Sequence, residues 1–235
     1  MGIAYNTSVV RDGLVLHLDA ANRKSYPGSG TTWVDLKGNG NNGTTFSGVA
    51  YESSPNRFAF DTSTSTNERI QIPHFSDLNY SYLNWAYSFW IKQLSDDNGS
   101  WAQIFIKGND GANRRPGIWF RDGNTSALHI TWNGSGGAQQ NFDTTADFML
   151  PINTWHNIVI QSRNGVMMAF KNGIQDANTT TITDRVVNSD PLYIGHRGSW
   201  RTLAMEISTF MVYNTSLTDS EIRQNFEALR GRYGV

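Results

Sequence analysis

The 235-residue chain contains no cysteine. That removes disulfide staples, thiolate nucleophiles and Cys-based metal sites together, and it suits a chain made in a reducing compartment. Charge is also scarce. Nineteen Lys and Arg face twenty Asp and Glu, a formal net of -1, with no basic run longer than the pairs Arg23-Lys24 and Arg114-Arg115. A nucleic-acid partner held by phosphate neutralisation is therefore not expected. Apolar runs are only a few residues long, far below the roughly 20 needed to span a bilayer, so no membrane partner is expected. Residues 1–10 lack a basic stretch followed by an apolar one, so no export signal is expected either. Glutamate occurs five times, as Glu52, Glu68, Glu206, Glu221 and Glu227.

What the chain does have is aromatics and turns. Short β-branched and aromatic runs are each closed by Gly or Asn, the pattern of strands in an antiparallel fold. Two hairpins stand out. Residues 156–161 and 166–171 flank Asn164-Gly165, and Asn172-Gly173 turns the chain again toward Ile174. Residues 117–120 and 128–132 flank Asp122-Gly123-Asn124 in the same way. Further strands are predicted at 13–18, 57–60, 69–72, 87–93, 103–107, 192–195 and 203–213. No helical stretch separates consecutive strands, which argues against βαβ units. One helix is predicted, over 219–230. Thr218-Asp219-Ser220-Glu221 forms a capping box, Ile222, Phe226 and Leu229 make an apolar stripe, and Gly231 offers a C-cap. Its expected place is an end or edge of the sandwich. The long segment 22–43 reads as a flap pinned by Trp33 and Leu36. The fold expected is all-β: a two-sheet antiparallel jelly-roll sandwich with one short C-terminal helix. It makes one domain over 1–235, with sandwich strands over 13–213.

Y-S-F-W-I-K (87–92), I-F-I-K-G-N (104–109), W-H-N-I-V-I (155–160) with M-A-F-K-N-G (168–173), L-Y-I-G (192–195) and F-M-V-Y-N-T-S-L-T-D-S-E-I (210–222) occur in that order. Together they resemble the laminin-G-like group of the concanavalin-A-like lectin/glucanase superfamily. G-L-V-L-H-L-D-A-A-N (13–22), S-Y-P-G-S-G-T-T-W-V-D-L-K-G-N-G-N-N-G-T (25–44) and N-F-E-A-L-R-G-R-Y-G (225–234) are similar to the two ends of bacteriophage virion proteins with this fold. The resemblance implies capsid decoration or a fibre or tail role, assembly in bacterial cytoplasm, docking to other virion proteins, homo-oligomers and binding of a host-surface glycan. It also implies calcium at a rim, with Asp19, Asn22 and Asp35, or Asp110 and Asp122, as oxygen ligands.

The glucanase branch requires a residue-level test for catalysis. Glycoside hydrolysis needs two carboxylates flanking one bond. No Glu in this chain has a second acid two to four positions away on a predicted strand, and Glu206 is followed by Ser208 and Phe210 at the alternate positions. His17, His74, His129, His156 and His196 are scattered, without metal-ligand spacing. His156, beside Trp155, reads as a packed histidine. No enzyme is expected.

A binding role then falls to the loops, where an aromatic plate beside Asp, Asn or Arg recognises sugars. The segment 101–133 supplies Trp101, Asn109, Asp110, Asn113, Arg114, Arg115, Trp119, Arg121, Asp122, Trp132 and Asn133; the loop 195–201 adds His196, Arg197, Trp200 and Arg201. Trp101, Asn109, Asp110, Asn113, Arg115, Arg121, Asp122 and Trp200 are the expected ligand-binding set. Trp90, Trp119 and Trp132, lying in strands, are expected in the core. The same Arg and Trp types serve protein interfaces, so the sequence leaves sugar and protein ligands open. The leading expectation is a non-enzymatic virion component with glycan binding as a secondary activity. A stand-alone lectin is the alternative, and a degenerate glycoside hydrolase the third reading.

Overall fold

A computed structural model describes residues 8–61, 67–95, 101–109, 111, 113–121, 124–185, 187–195 and 203–235. Among these residues sixteen strands run in chain order: β1 (Leu14–Asp19), β2 (Thr32–Trp33), β3 (Gly43–Phe46), β4 (Ala50–Ser53), β5 (Asn56–Phe60), β6 (Arg69–Ile72), β7 (Asn84–Gln93), β8 (Ala102–Lys107), β9 (Gly117–Arg121), β10 (Asn124–Asn133), β11 (Gln139–Asp143), β12 (Trp155–Arg163), β13 (Val166–Lys171), β14 (Ile174–Thr181), β15 (Leu192–Gly195) and β16 (Met205–Tyr213). They form two antiparallel sheets. Sheet A has the order β14-β13-β12-β7-β16-β5-β4, with β1 also on β16, and sheet B the order β11-β10-β9-β8-β15-β6-β3-β2. The described residues contain no helix long and apolar enough to cross a membrane.

Alternation along the strands builds the core between the sheets. Phe89, Ile91, Ile158, Ile160, Phe210 and Val212 of sheet A face Ile118, Phe120, Leu128, Ile130, Leu192 and Ile194 of sheet B, all fully buried. Trp132 belongs to this core and stacks on Trp85 with centroids 5.1 Å apart. Asn164 and Asn172 take φ of 53° and 52°, each followed by a left-handed Gly, so both two-residue turns have the geometry the Asn-Gly pairs predict.

The segment 22–43 is packed down as expected, through fully buried Trp33 against Phe58 (centroids 4.7 Å). It also carries β2, which closes one edge of sheet B.

The helix α1 (Asp219–Leu229) has its capping box, with Thr218 Oγ1 accepting from the Glu221 amide at 3.3 Å and the Thr218 amide donating to Glu221 Oε2 at 2.8 Å. Its position differs from the expectation. It lies on the outer face of sheet A, not at an end or edge. Ile222 and Leu229 pack with Trp90, Val159, Met168, Phe170 and Met211, side chains that alternate with the inter-sheet core residues on β7, β12, β13 and β16. Gly231 is not the cap: Arg230 ends the helix and a 3-10 turn, Arg230–Arg232, follows. That turn sets Tyr233 on Trp90, centroids 4.0 Å apart. Covering on both sides explains why β12 and β16 are buried almost throughout instead of at alternate residues.

Candidate functional site

The outer face of sheet B is built by the same alternation but has no helix on it. Outward from β9 comes Trp119, from β10 His129 and Thr131, and from β11 Gln139, Asn141 and Asp143; His129 pairs in register with both Trp119 and Asp143. Trp119, Ile106 and Tyr193 form a small apolar cluster with half-buried Trp101 against it. Trp119 is therefore buried, as a strand Trp is expected to be, but on the outer face and not between the sheets.

Two features seat the Trp119 indole. Gly117, two residues back on the same face, has no side chain: a Cβ there would stand 2.1 Å from Trp119 Cη2. Only glycine lets the ring lie flat along the strand. Above it, the Arg114 guanidinium carbon stands 4.8 Å from the ring centroid. Arg114 is fixed at its backbone, where its amide donates to Asn133 Oδ1 and its carbonyl accepts from the Asn133 amide, both at 2.9 Å. Buried Asn133 thus works as a loop anchor, completed by Nδ2 donating to the Gly137 carbonyl at 2.9 Å.

His129 forms the next layer. Its Nδ1–H donates to Asp143 Oδ1 at 2.7 Å, and Nε2 accepts from the Thr131 hydroxyl at 2.9 Å. Burial lowers its pKa below the usual histidine value and the nearby Arg114 and Arg121 guanidiniums act in the same direction, while Asp143 opposes them. The ring is held neutral with both nitrogens committed. Its role is to buttress Trp101, whose indole meets it edge-on at 4.6 Å between centroids. Arg121 Nε lies 3.4 Å from Asp143 Oδ2.

Trp101, Arg114, Trp119, His129, Gln139 and Asn141 line a cleft of about 350 Å³. That is near the lower end of small-ligand sites (about 300–1,000 Å³) and suits one or two sugar rings better than an extended chain. The described lining holds an aromatic plate in Trp101, an indole floor, two exposed amides and a guanidinium. It holds no carboxylate.

The expected residues are distributed unevenly around this cleft. Trp101 lines it, Arg121 borders it, and Asn109 and Asn113 are half-buried in the preceding loop, with the Asn113 carbonyl taken by Asn188 Nδ2 at 2.8 Å. Arg115 is a correction. It is fully buried, with Nη1 donating to Asn79 Oδ1 at 3.1 Å and Nη2 to the Tyr80 carbonyl at 2.9 Å. In an extended loop adjacent side chains point opposite ways, so one of Arg114 and Arg115 faces out and the other in. Asp110, Asp122, His196, Arg197, Trp200 and Arg201 lie outside the described residues. Sequence reasoning missed His129, Gln139 and Asn141 as site residues. The available signal was polar alternation in L-H-I-T-W (128–132) and Q-Q-N-F-D (139–143).

Asp19 and Asp35 do not fit a calcium site. Both Asp19 oxygens contact Arg232 Nη1 at 2.8 Å, and Oδ1 also accepts the Ala21 amide at 3.0 Å. Asp35 Oδ1 accepts the His17 and Lys37 amides, each at 3.0 Å, and Asn22 Oδ1 accepts the Lys24 amide, also at 3.0 Å. These are an ion pair and turn caps. Among the described residues no group of three or more His, Cys, Asp or Glu is placed to hold a metal. Glu206 is on the other sheet, buried between Arg57 Nε (2.7 Å) and Lys92 Nζ (2.6 Å). Buried His156 has its pKa lowered to about 4, first by burial and then by Lys171, as a packed neutral histidine does.

Known proteins share this architecture. The binding domain of Paraclostridial Mosquitocidal Protein 1 superposes with a TM-score of 0.73 at 18% identity, covering 91% of this chain and 52% of that one. The binding domain of botulinum neurotoxin DC, solved in complex with SialylT, gives 0.68 at 19% identity, covering 93% and 52%. Trypanosoma rangeli sialidase, solved with the inhibitor DANA, gives 0.67 at 18% identity, covering 93% and 33%. The chain thus spans about half the length of the toxin domains and a third of the sialidase, and at these identities the likeness is one of fold. No curated protein matches by sequence. A family profile of the laminin-G type does match, over residues 64–223, well over half of the chain. The chain belongs to the concanavalin A-like lectin/glucanases superfamily.

Proposed function

We propose that this protein is a non-catalytic carbohydrate-binding module and that the cleft on the outer face of sheet B is its glycan site. The observation that carries this reading is the half-buried Trp101 plate, braced by neutral His129 and flanked by the exposed amides of Gln139 and Asn141. A pyranose stacks its apolar face on such a plate and gives its hydroxyls to amides. The absence of catalysis is supported by the lack of a carboxylate among the described lining residues and by the burial of Glu206 between two cations on the other sheet. Titration with an oligosaccharide array is expected to find a ligand whose affinity falls at least tenfold in Trp101→Ala. Array-wide silence, or binding indifferent to that substitution, contradicts the site; sugar release on incubation contradicts the non-catalytic role.

The biological setting we propose is a bacteriophage particle, where the module decorates the capsid or forms part of a fibre and docks to other virion proteins. Support comes from the resemblance of 13–22, 25–44 and 225–234 to virion proteins. The first and last of these segments are tied to one another by the Asp19–Arg232 pair, and Val10 donates its amide to Asn225 Oδ1 at 2.8 Å. Mass spectrometry of purified particles is expected to detect the chain in stoichiometric amount, and particles lacking it contradict this setting.

A further inference from the structure

We infer that the cleft on sheet B selects saccharides bearing an acetamido group and that the side-chain amides of Gln139 and Asn141 recognise that group. The inference rests on the glycan reading of the same cleft and narrows it to a ligand class.

The strand β11, at the edge of sheet B, sorts its amides by face. Gln140 points one way and is used within the protein: Oε1 accepts the Thr183 amide at 3.2 Å, and Nε2 reaches Thr183 Oγ1 and Asp184 Oδ1, each at 3.4 Å. Gln139 and Asn141 point the other way, both exposed, two residues apart on one face of the strand. Among the described residues their side chains bond only each other, with Asn141 Nδ2 donating to Gln139 Oε1 at 3.4 Å. A primary amide carries two N–H donors and one acceptor oxygen. The contact therefore leaves the Gln139 NH2 group as a donor and Asn141 Oδ1 as an acceptor, side by side on the cleft wall. Turning both amides over exchanges the two roles and leaves the same complement.

A secondary acetamide is the complement of that pair. Its N–H donates to Asn141 Oδ1 and its carbonyl accepts from Gln139 Nε2, two functions on separate atoms of one rigid plane. A single sugar hydroxyl carries one hydrogen and both functions on one atom, so it spans the pair less well. The acetyl methyl needs an apolar neighbour, and the same cleft supplies indole at Trp101 above the Trp119 floor. His129 does not compete for the group, since Nδ1 is held by Asp143 and Nε2 by Thr131. The described lining holds no carboxylate that would favour the ammonium of a free amino sugar. At about 350 Å³ the cleft has room for one ring and this substituent.

The test uses the full chain and two matched pairs: methyl N-acetylglucosaminide against methyl glucoside, and methyl N-acetylgalactosaminide against methyl galactoside. The free amines, methyl glucosaminide and methyl galactosaminide, serve as charge controls. Binding is followed through the indole N–H signals. At least one acetamido sugar is expected to bind about tenfold or more tightly than its parent, the worth of two net neutral hydrogen bonds, with no dependence of the preference on salt. Gln139→Met and Asn141→Leu, both at exposed positions, are each expected to erase most of the preference while binding of the parent sugar persists. Equal or tighter binding of both parents overturns the inference, as does a preference that survives both substitutions. A preference shared by the free amine, or one that shrinks as salt is raised, assigns it to charge and overturns the inference too. Those outcomes leave the site reading standing if Trp101→Ala still abolishes binding. If none of the sugars binds, or Trp101→Ala changes nothing, the site reading itself fails and the inference with it.

Discussion

The outer faces of the two sheets start from the same alternation and end in different states. On sheet A, Trp90, Val159, Met168, Phe170 and Met211 project outward, and helix α1 with the C-terminal turn buries them. On sheet B the outward row mixes Trp119 with His129, Thr131, Gln139 and Asn141, and the aromatics end in a cleft. An outer face with a large apolar patch is worth covering with a helix, because each large side chain removed from water contributes about 1.5–3 kcal/mol. A mixed face of committed polar groups around one half-buried indole gains less from a permanent cover. On the function proposed above, stability is concentrated on one outer face and recognition on the other.

That division can be broken at several points, here from the largest effect on stability to the smallest. Trp90→Ala removes the ring on which Tyr233 and Phe226 stack, 4.0 and 5.8 Å away. It should cost about 3–5 kcal/mol in chemical denaturation and leave saccharide affinity in the folded fraction unchanged. Arg115→Met should cost roughly 1–3 kcal/mol, because it removes a buried guanidinium that donates to Asn79 Oδ1 and, beside Arg185, to the Tyr80 carbonyl. A surface role for Arg115 would instead give a stability change near zero and a loss of binding.

Acid should act through His156, whose folded pKa of about 4 lies below its unfolded value of 6.5. The unfolded chain then binds the proton first. Stability is intact above about pH 6.5, declines as pH falls and levels below about pH 4, a total on the order of 2–3 kcal/mol. Denaturation midpoints across that range should flatten in His156→Gln; an unchanged slope would assign the acid sensitivity elsewhere. Trp101→Ala completes the contrast. It should change stability by less than about 1 kcal/mol while lowering affinity at least tenfold, because the ring is half-buried at the cleft wall and outside the inter-sheet core.

The fold was legible because its signals are local. Asn164-Gly165 and Asn172-Gly173 dictate their turns, and the Thr218–Glu221 box dictates a helix start. Four strands were not legible. Gln139–Asp143 is polar apart from Phe142, Ala50–Ser53 is an edge strand with little burial, and Thr32–Trp33 and Gly43–Phe46 are too short to show a period. Missing β11 hid a third of the described cleft lining, since Gln139 and Asn141 come from it, as does the Asp143 that holds His129. The helix position was written in side chains facing away from the core: Trp90, Met168 and Met211 need a partner that an end or edge cannot supply. Arg114 and Arg115 show the limit most plainly. Two identical neighbours have opposite fates, decided by the contacts of Asn133 on one side and Tyr80 on the other, and no local pattern distinguishes them.

The most direct test of the division between the faces reads all eight tryptophans at once. In a saccharide titration followed by indole N–H resonances, the account predicts shifts at Trp101 and Trp119, with Trp85, Trp90, Trp132 and Trp155 unmoved. Shifts confined to Trp90 or Trp155 would place recognition on the helix-covered face and contradict it.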